Sequence, residues 1–312
     1  MDTRKIGSLD VSVIGLGCNN FGGRIDEAAT KRVVDAAIAA GVTFFDTADI
    51  YGGTRSEEFL GRVLEGRRDA VVLATKFGMA AKDTSVTGGA RPEYVRRALE
   101  DSLRRLRTDH VDLYQLHEPD ATTPVADTLG ALHEAVEAGL VREIGCSNFS
   151  VAQLEEAAAA SRQHGWPRFA SVQNEYSLLR REPERGVLAA CARLGVAFLP
   201  YYPLFAGILT GKYRRDEPNP AGTRVTGAER WEKHLTPDLY DLLEELAGFA
   251  ADHGRELLDL AFAWLLAEPA VASVIAGATS ASQVERNARS AAWRLTPTER
   301  ATVTDLLAAR GF

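Results

Sequence analysis

Three polar side chains lie close together in the segment FFDTADIYGG, residues 44 to 53. Asp46 and Asp49 carry carboxylates and Tyr51 carries a phenol, directly after an aromatic pair typical of a buried strand. A phenol has an ordinary pKa of about 10, so it exchanges protons at neutral pH only where its surroundings favour that transfer. The segment is either a polar turn that ends a strand or a strand end that presents Asp46 and Tyr51 to a substrate.

Two further candidates follow later strands, Lys76 in ATKFG and His117 in YQLHEPD. A buried lysine without a partner is unfavourable, so Lys76 needs a carboxylate, and Asp46 on the neighbouring strand is the obvious one. Lys76 would lower the pKa of Tyr51, while Asp46 would keep Lys76 charged and oriented. Taken singly, each residue is equally well explained by a structural ion pair or an incidental loop position.

The strands that position these residues alternate with helical segments along the chain. Short runs of β-branched or aromatic residues predict strands at residues 12 to 17, 43 to 46, 70 to 75, 111 to 116, 141 to 146, 170 to 174, 196 to 201 and 272 to 276. Eight βα pairs without a linker favour a closed parallel (β/α)8 barrel, a TIM barrel of the α/β class, over a doubly wound sheet. We therefore expect one barrel domain over residues 1 to 312, with an N-terminal hairpin at KIGSLDV that plugs one end.

Capping signals mark the predicted helices. Asp26 is suited to cap the first helix, two segments have the spacing of a capping box, and two have proline at the first helical position. The capping boxes are Ser150 with Gln153 and Thr296 with Glu299, and the prolines are Pro92 and Pro124.

One connection is long. Residues 202 to 235, rich in Pro, Gly and Arg, separate the seventh strand from an extra helix that begins at Thr236. Long loops in compact domains are usually lids or binding loops.

Composition excludes several classes of function. A formal net charge of −7 gives no general attraction to nucleic acid or anionic lipid. The N-terminus lacks an apolar signal core, and the three cysteines have no metal spacing, so we expect a protein of the reducing cytoplasm. Only His117 among the six histidines is placed for catalysis and no His-x-His pair occurs, which disfavours a metal-dependent hydrolase.

Polar groups collect at the same end of strand after strand, where TIM barrels carry their active sites. Asp46, Tyr51, Lys76 and His117 form the set found in aldo-keto reductases, and the chain resembles that family over nearly its full length. The resemblance extends to the N-terminal hairpin and to GLGCNNFG, DTADIYGG, ATKFG, LYQLH, GCSNF, VQNEYS, LTGKY and VIAGATSASQVERNA. It is similar to bacterial members with a short C-terminus and to members related to potassium-channel beta subunits.

The resemblance implies an NADPH-dependent oxidoreductase that reduces an aldehyde, ketone or sugar carbonyl by hydride transfer. Tyr51 would protonate the carbonyl oxygen, and His117 would hydrogen-bond it. The same tetrad serves oxidation, so an NAD(P)-dependent sugar or alcohol dehydrogenase remains open. A regulatory subunit that senses NADPH is a third, less favoured possibility.

The resemblance also implies a nicotinamide cofactor without a Rossmann fingerprint, since Asn20 stands where a third glycine would be needed. It assigns the carboxamide to Ser147, Asn148 and Gln173 and the stacking contact to Tyr201. The other expected cofactor contacts are Gly17, Cys18 and Asn19 after the first strand; Asp46; Leu204, Gly207, Leu209, Gly211 and Lys212 in the long loop; and Gly277, Thr279, Ser280, Gln283 and Asn287 around the eighth helix.

Two positions depart from the family pattern on the adenine side. Arg286 stands where an acidic residue is common, and Gln283 stands where many NADPH-preferring relatives have Arg. NADPH is the expected cofactor, with NADH also possible. Ser280 and Gln283 have capping-box spacing, so a local role is an alternative to cofactor contact.

The substrate pocket is built by loops, and its expected residues are equally consistent with packing. They are Asn20, Phe21, Met79, Glu118, Phe205 and Trp231. The last predicted helix, residues 297 to 309, leaves no long C-terminal arm, so we expect the loop of residues 202 to 235 to close the pocket.

Overall fold

The structure is a computed structural model that describes residues 1–80 and 86–312. Strands β1 and β2 form an antiparallel hairpin, Thr3–Ile6 with Leu9–Ser12. The barrel strands are β3 Ile14–Gly17, β4 Phe44–Asp46, β5 Val72–Phe77, β6 Val111–Leu116, β7 Val141–Ser147, β8 Ser171–Glu175, β9 Ala197–Tyr201 and β10 Val274–Gly277. They close in the order β10-β3-β4-β5-β6-β7-β8-β9, all parallel. The predicted TIM barrel with an N-terminal hairpin is confirmed.

The helices lie outside the strands. They are α1 Glu27–Ala39, α2 Arg55–Val63, α3 Pro92–Leu106, α4 Val125–Glu137, α5 Val151–His164, α6 Val187–Leu194, α7 Glu229–Glu232, α8 Pro237–Asp252, α9 Leu257–Leu266, α10 Ala281–Ser290 and α11 Pro297–Ala309. Asp26 caps α1, and the capping boxes before α5 and α11 form as predicted. One expectation is wrong by a residue: Pro124 is the N-cap of α4, because its backbone is extended, with ψ 134°.

The third barrel strand is displaced by two residues at both ends relative to its prediction. The third barrel strand begins at Val72 and runs to Phe77, because a short 3-10 turn, Arg68–Ala70, precedes it. Lys76 therefore lies within β5, where the ladder to β6 holds its backbone. All eight predicted barrel strands, this one included, agree with the structure to within two residues at each end.

The hairpin closes the amino-terminal end of the barrel. Ile6, Leu9 and Val11 are buried against inward-facing barrel residues such as Phe44 and Leu113. Burying large apolar side chains there removes water from the barrel interior. The amide of Ser8 donates to Glu143 Oε1 of β7 at 2.7 Å, which holds the hairpin turn. Ligands therefore have access from the carboxyl ends of the strands.

The long connection after β9 reaches back across that open end. It contains a 3-10 segment, Phe205–Thr210, and α7. Arg224 donates to Asn20 Oδ1 at 2.9 Å, and Arg24 donates to the carbonyl of Gly222 at 2.8 Å. These bonds join the loop to the β3–α1 connection. Among the described residues, no helix combines the length and the apolarity needed to cross a membrane.

Candidate active site

The predicted pairing of Asp46 with Lys76 is present at the carboxyl end of the barrel. Lys76 Nζ lies 2.5 Å from Asp46 Oδ2, 3.0 Å from the carbonyl of Thr47 and 3.5 Å from the hydroxyl of Tyr51. Lys76 has 0% exposed surface and Asp46 has 2%. Asp46 is the last residue of β4 and Lys76 lies on the adjacent β5, so two neighbouring strands fix the pair.

A tight turn after β4 places Tyr51. The Asp49 amide donates to the Lys76 carbonyl at 3.1 Å, which ties the turn to β5. Gly52 has φ 62°, and a Cβ at that position would lie 2.4 Å from the carbonyl oxygen of Phe21, so glycine is required there. The Tyr51 ring consequently lies with its centroid 5.2 Å from Lys76 Nζ and 5.7 Å from the His117 ring.

The second carboxylate oxygen of Asp46 accepts two amide hydrogen bonds. Gln115 Nε2 and Gln173 Nε2 each lie 3.0 Å from Asp46 Oδ1. Gln115 was not among the predicted site residues. Its signal in the sequence is that, in a strand with a side-chain period of two, it shares the inward face with the buried Leu113.

His117 is buried and neutral. Burial and then the positive charge of Lys76 lower its pKa to about 3. Its amide donates to the Phe77 carbonyl at 2.7 Å, which continues the ladder just beyond β6. Its Nδ1 is buried and has no hydrogen-bond partner among the described residues. The ring therefore keeps hydrogen-bonding capacity for a ligand.

Lys76 has the expected lowering effect on the pKa of Tyr51, but burial outweighs it, so the pKa of Tyr51 is raised overall. Burial also lowers the pKa of Lys76, but the negative charge of Asp46 and the contact with Tyr51 exceed that effect and raise it. Tyr51 is thus a neutral phenol beside a charged ammonium group, which is the protonation state of an acid.

The four residues predicted to contact the nicotinamide lie together beside this cluster. Ser147 Oγ donates to the Gln173 carbonyl at 2.7 Å, and the Tyr201 hydroxyl donates to Asn148 Oδ1 at 2.9 Å. Asn148 has φ 62° and donates from Nδ2 to the His117 carbonyl at 3.0 Å. Strands β7, β8 and β9 therefore carry a connected polar rim next to the tetrad.

The start of α10 is only partly as predicted. Ser280 Oγ accepts from the Gln283 amide at 3.3 Å, but Gln283 Oε1 accepts from the Thr279 amide at 2.8 Å and not from that of Ser280. The expected capping box is half formed. Gly277 is exposed, and a Cβ there would lie 3.2 Å from Asn20 Nδ2, so its missing side chain leaves a cradle beside the β3–α1 connection.

Lys212 in the long loop and Arg24, which donates to the Gly222 carbonyl of that loop, lack acidic partners among the described residues. Desolvation lowers the pKa of Lys212, and the charge of Arg24 adds to that effect. Within the described residues neither forms an ion pair with a carboxylate. Cations without an acidic partner are suited to bind an anionic group such as a phosphate. The sequence did not indicate Arg24 as a candidate, because nothing in it shows which residues the long loop approaches.

Several expected contact residues have buried side chains. Cys18, Phe21 and Leu209 are 0% exposed, and Phe205 is 3% exposed, so their side chains belong to the packed core. Trp231 is nearly buried against Tyr202 and Phe205. By contrast Glu118 is exposed, and Asn19, Met79 and Leu204 are partly exposed.

Asp49 is a buried acid outside the tetrad. It is 1% exposed, and neither carboxylate oxygen has a hydrogen-bond partner among the described residues. Burial and then the nearby Glu57 raise its pKa to about 8. Glu57 itself is bound to Arg105 at 2.6 Å and to Thr75 at 2.5 Å. Asp49 lies in the turn that follows β4, and its carboxyl group is therefore mostly protonated at neutral pH.

Across the described residues, no three His, Cys, Asp or Glu side chains are grouped so that they could hold a metal ion.

Comparison with known proteins identifies the family of the chain. The chain belongs to the aldo/keto reductase family, whose model matches residues 13–308. It is 30% identical over 306 residues to the aldo-keto reductase YhdN of Bacillus subtilis, covering 96% of this chain and 91% of that protein. It is 35% identical over 295 residues to the Schizosaccharomyces pombe aldo-keto reductase yakc, whose name carries the label NADP(+), covering 91% and 85%.

A solved structure gives the same fold. The glycerol dehydrogenase of Gluconobacter oxydans superimposes with a TM-score of 0.86 at 29% identity, covering 99% of this chain and 96% of that one. As a member of this family, the protein is an oxidoreductase that uses a nicotinamide cofactor and acts on small carbonyl compounds.

Replacement of Asp49 by Asn should make stability less dependent on pH. A buried acid whose pKa is raised to about 8 binds its proton more tightly when folded, so folding stability falls as pH rises from about 4 to about 8. The loss is at most about 1.4 kcal/mol per pH unit in that window. Urea unfolding should show D49N gaining on the wild type between pH 5 and 8. An exposed control, Asp305→Asn, should show no such divergence; parallel curves for D49N would refute the assignment.

Proposed function

We propose that the protein is an NADPH-dependent reductase of an aldehyde, ketone or sugar carbonyl in which Tyr51 donates the proton. The convergence of Tyr51, Lys76 and His117 on one end of the barrel supports this proposal most directly. Lys76 Nζ lies 3.5 Å from the Tyr51 hydroxyl, and the His117 ring stands 5.7 Å from the Tyr51 ring. A carbonyl oxygen bound between the phenol and the imidazole would meet two hydrogen-bond donors.

Each side chain has a distinct role in this proposal. Tyr51 is protonated in the free protein and gives its proton to the carbonyl oxygen, and the phenolate left behind is stabilised by the adjacent charge of Lys76. Asp46 keeps Lys76 charged. His117 stays neutral and orients the oxygen by a hydrogen bond. When bound, the nicotinamide supplies the hydride, since no side chain provides one.

Residues on the other side of the barrel mouth would hold the cofactor. Ser147, Asn148 and Gln173 present amide and hydroxyl groups to a carboxamide, and Tyr201 offers a ring for stacking. The pyrophosphate would lie near Lys212 and the start of α10. The NADP(+) label of the fission yeast relative supports NADPH as the first choice.

NADH use remains the alternative within the same proposal. Gln283 is neutral, and its Oε1 is engaged by the Thr279 amide. Arg286 donates to Glu256 at 2.5 Å and is thereby partly neutralised. Paired titrations with NADPH and NADH, followed by protein fluorescence, would rank the two cofactors directly.

Oxidation of an alcohol is the second candidate, since the glycerol dehydrogenase of Gluconobacter oxydans is among the similar structures. The tetrad serves both directions, because the phenolate form of Tyr51, stabilised by Lys76, accepts the proton in oxidation. Initial rates with carbonyls and NADPH, compared with rates for polyols and NAD(P)+ at 340 nm, distinguish the two. Inactivity of folded protein in both assays would overturn the proposal.

Replacement of Tyr51 by Phe should abolish turnover without preventing cofactor binding. The variant keeps the ring and loses the proton, and general acid catalysis contributes about 100-fold or more to kcat. Steady-state rates should fall by at least that factor, while the Kd for NADPH should remain within about twofold. Tyr240→Phe on α8 is the matched control and should keep wild-type rates. Near-normal turnover in Y51F would exclude Tyr51 as the donor.

Replacement of Lys212 by Ala should weaken NADPH binding by about tenfold, the effect of losing one charge-assisted hydrogen bond to phosphate. Because Lys212 is distant from the reacting carbonyl in this proposal, kcat at saturating cofactor should change little. Fluorescence titration at two salt concentrations measures Kd and its salt dependence. Lys233→Ala, an exposed lysine just after α7, serves as the control. Equal Kd values for K212A and wild type would remove Lys212 from the cofactor site.

A further inference from the structure

We propose that Gln115 is a positioning residue that affects how firmly Tyr51 holds its proton, through Asp46 and Lys76. We also propose that the glycine at position 145 provides the space that the Gln115 side chain needs. The inference rests on the proposed function, because it concerns the acid of the same site. Gln115 forms no hydrogen bond with Tyr51 among the described residues, and it acts by holding the carboxylate of Asp46.

The hydrogen bonds of Asp46 show how the effect is transmitted. Oδ2 accepts from Lys76 at 2.5 Å, and Oδ1 accepts from both Gln115 and Gln173 at 3.0 Å. The carboxylate is 2% exposed, so these donors take the place of water. Hydrogen bonds to a charged group are stronger than those between neutral groups, and they stabilise the ionised form.

The orientation of the Gln115 amide follows from chemistry. If the amide were turned over, Oε1 would face Asp46 Oδ1, and two acceptors would oppose each other without a proton between them. With Nε2 on the carboxylate, Oε1 is buried and has no partner among the described residues. An unsatisfied buried acceptor is costly. The structure thus favours the contact with Asp46 over satisfaction of the other end of the amide.

Gly145 makes room for this side chain across the sheet. Gln115 on β6 is in register with Gly145 on β7, which is in register with Ser171 on β8. A Cβ at Gly145 would lie 2.5 Å from Ser171 Oγ and 3.1 Å from Gln115 Cγ. Gly145 is not among the residues with positive φ, so the requirement for glycine there is one of space and not of backbone conformation.

The sign of the effect follows from the chain of contacts. Without the Gln115 donor, the Asp46 carboxylate loses one of its two amide hydrogen bonds and attracts the proton of the Lys76 ammonium more strongly. Lys76 then offers less positive charge to the Tyr51 hydroxyl, so the phenolate is less stable and the phenol holds its proton to higher pH. The charged or titratable groups that the described structure places against Tyr51 are Lys76, Asp46, Tyr201, Tyr202 and His117. Of these five, Gln115 bonds to Asp46.

The experiment compares Gln115→Met with the wild type on whichever carbonyl the wild type reduces. Methionine keeps the length of the side chain and removes the donor. We expect kcat to fall about tenfold, the Kd for NADPH to stay within about twofold, and the alkaline limb of the kcat profile to move up by about half a pH unit or more. Ser171→Ala removes a neighbouring hydroxyl that has no partner among the described residues, and it should leave all three quantities unchanged.

A second variant tests the same idea without altering the amide. Gly145→Ala places a methyl group against Gln115 Cγ, and Ser171→Ala in the same chain removes the closest atom. This double variant should shift the pH profile in the same direction as Q115M, and circular dichroism with thermal unfolding establishes that each variant is folded. If Q115M does not fold, the pH profile of kcat for the double variant decides the test.

The possible results are distinguishable. An unshifted pH profile in a folded variant of either kind overturns the positioning role, whatever happens to kcat. A loss of NADPH affinity that accounts for the whole effect also overturns it and makes Gln115 a cofactor contact. If the wild type binds NADPH but reduces no carbonyl, the proposed function fails instead. That result is independent of the Gln115 variants, because it is seen in the wild type.

Discussion

The buried pair of Asp46 and Lys76 is the constraint on which the arrangement of the barrel mouth depends. Removing either ion from water alone costs several kcal/mol, and the attraction between them offsets that cost only with good geometry and further hydrogen bonds. The structure supplies both: a 2.5 Å contact, two glutamine amides on the carboxylate and the Thr47 carbonyl on the ammonium. Four strands contribute to this cluster, so the closed barrel brings together the groups that offset the free-energy cost of burying the pair.

The chemistry of Tyr51 is a consequence of that pair. A phenol buried beside an uncompensated ammonium would lose its proton more readily, and one buried alone would hold it firmly. Burial dominates here, while Lys76 limits its effect. The hairpin at the opposite end of the barrel excludes water from the interior, and Arg224 joins the long loop to Asn20 at the mouth. Exclusion of water strengthens the electrostatic interactions among the buried groups of the site.

Much of this could be predicted from the sequence, and the reasons are local. Strand positions follow from runs of β-branched residues, and the tetrad follows from polar residues at successive strand ends, so the sequence alone pairs Asp46 with Lys76. The net direction of the Tyr51 pKa does not follow from the sequence, because it depends on how completely the site is buried. Gln115 lies inside a strand and not at its end, so its position in the sequence gives no sign that it reaches Asp46. Arg24 and Arg224 depend on the path of the long loop, which follows from tertiary contacts and not from local pattern.

Gly145 illustrates how a residue without a side chain can restrict change elsewhere. A Cβ at 145 would lie 2.5 Å from Ser171 Oγ and 3.1 Å from Gln115 Cγ. A larger residue at 145 therefore requires the hydroxyl at 171 to move or be lost and the side chain at 115 to shift, and a shorter residue at 115 leaves a void that a methyl group at 145 could fill. Substitutions at these two positions, thirty residues apart in the chain, are therefore coupled. Where such a paired exchange occurs, Asp46 must obtain its second amide donor from another strand.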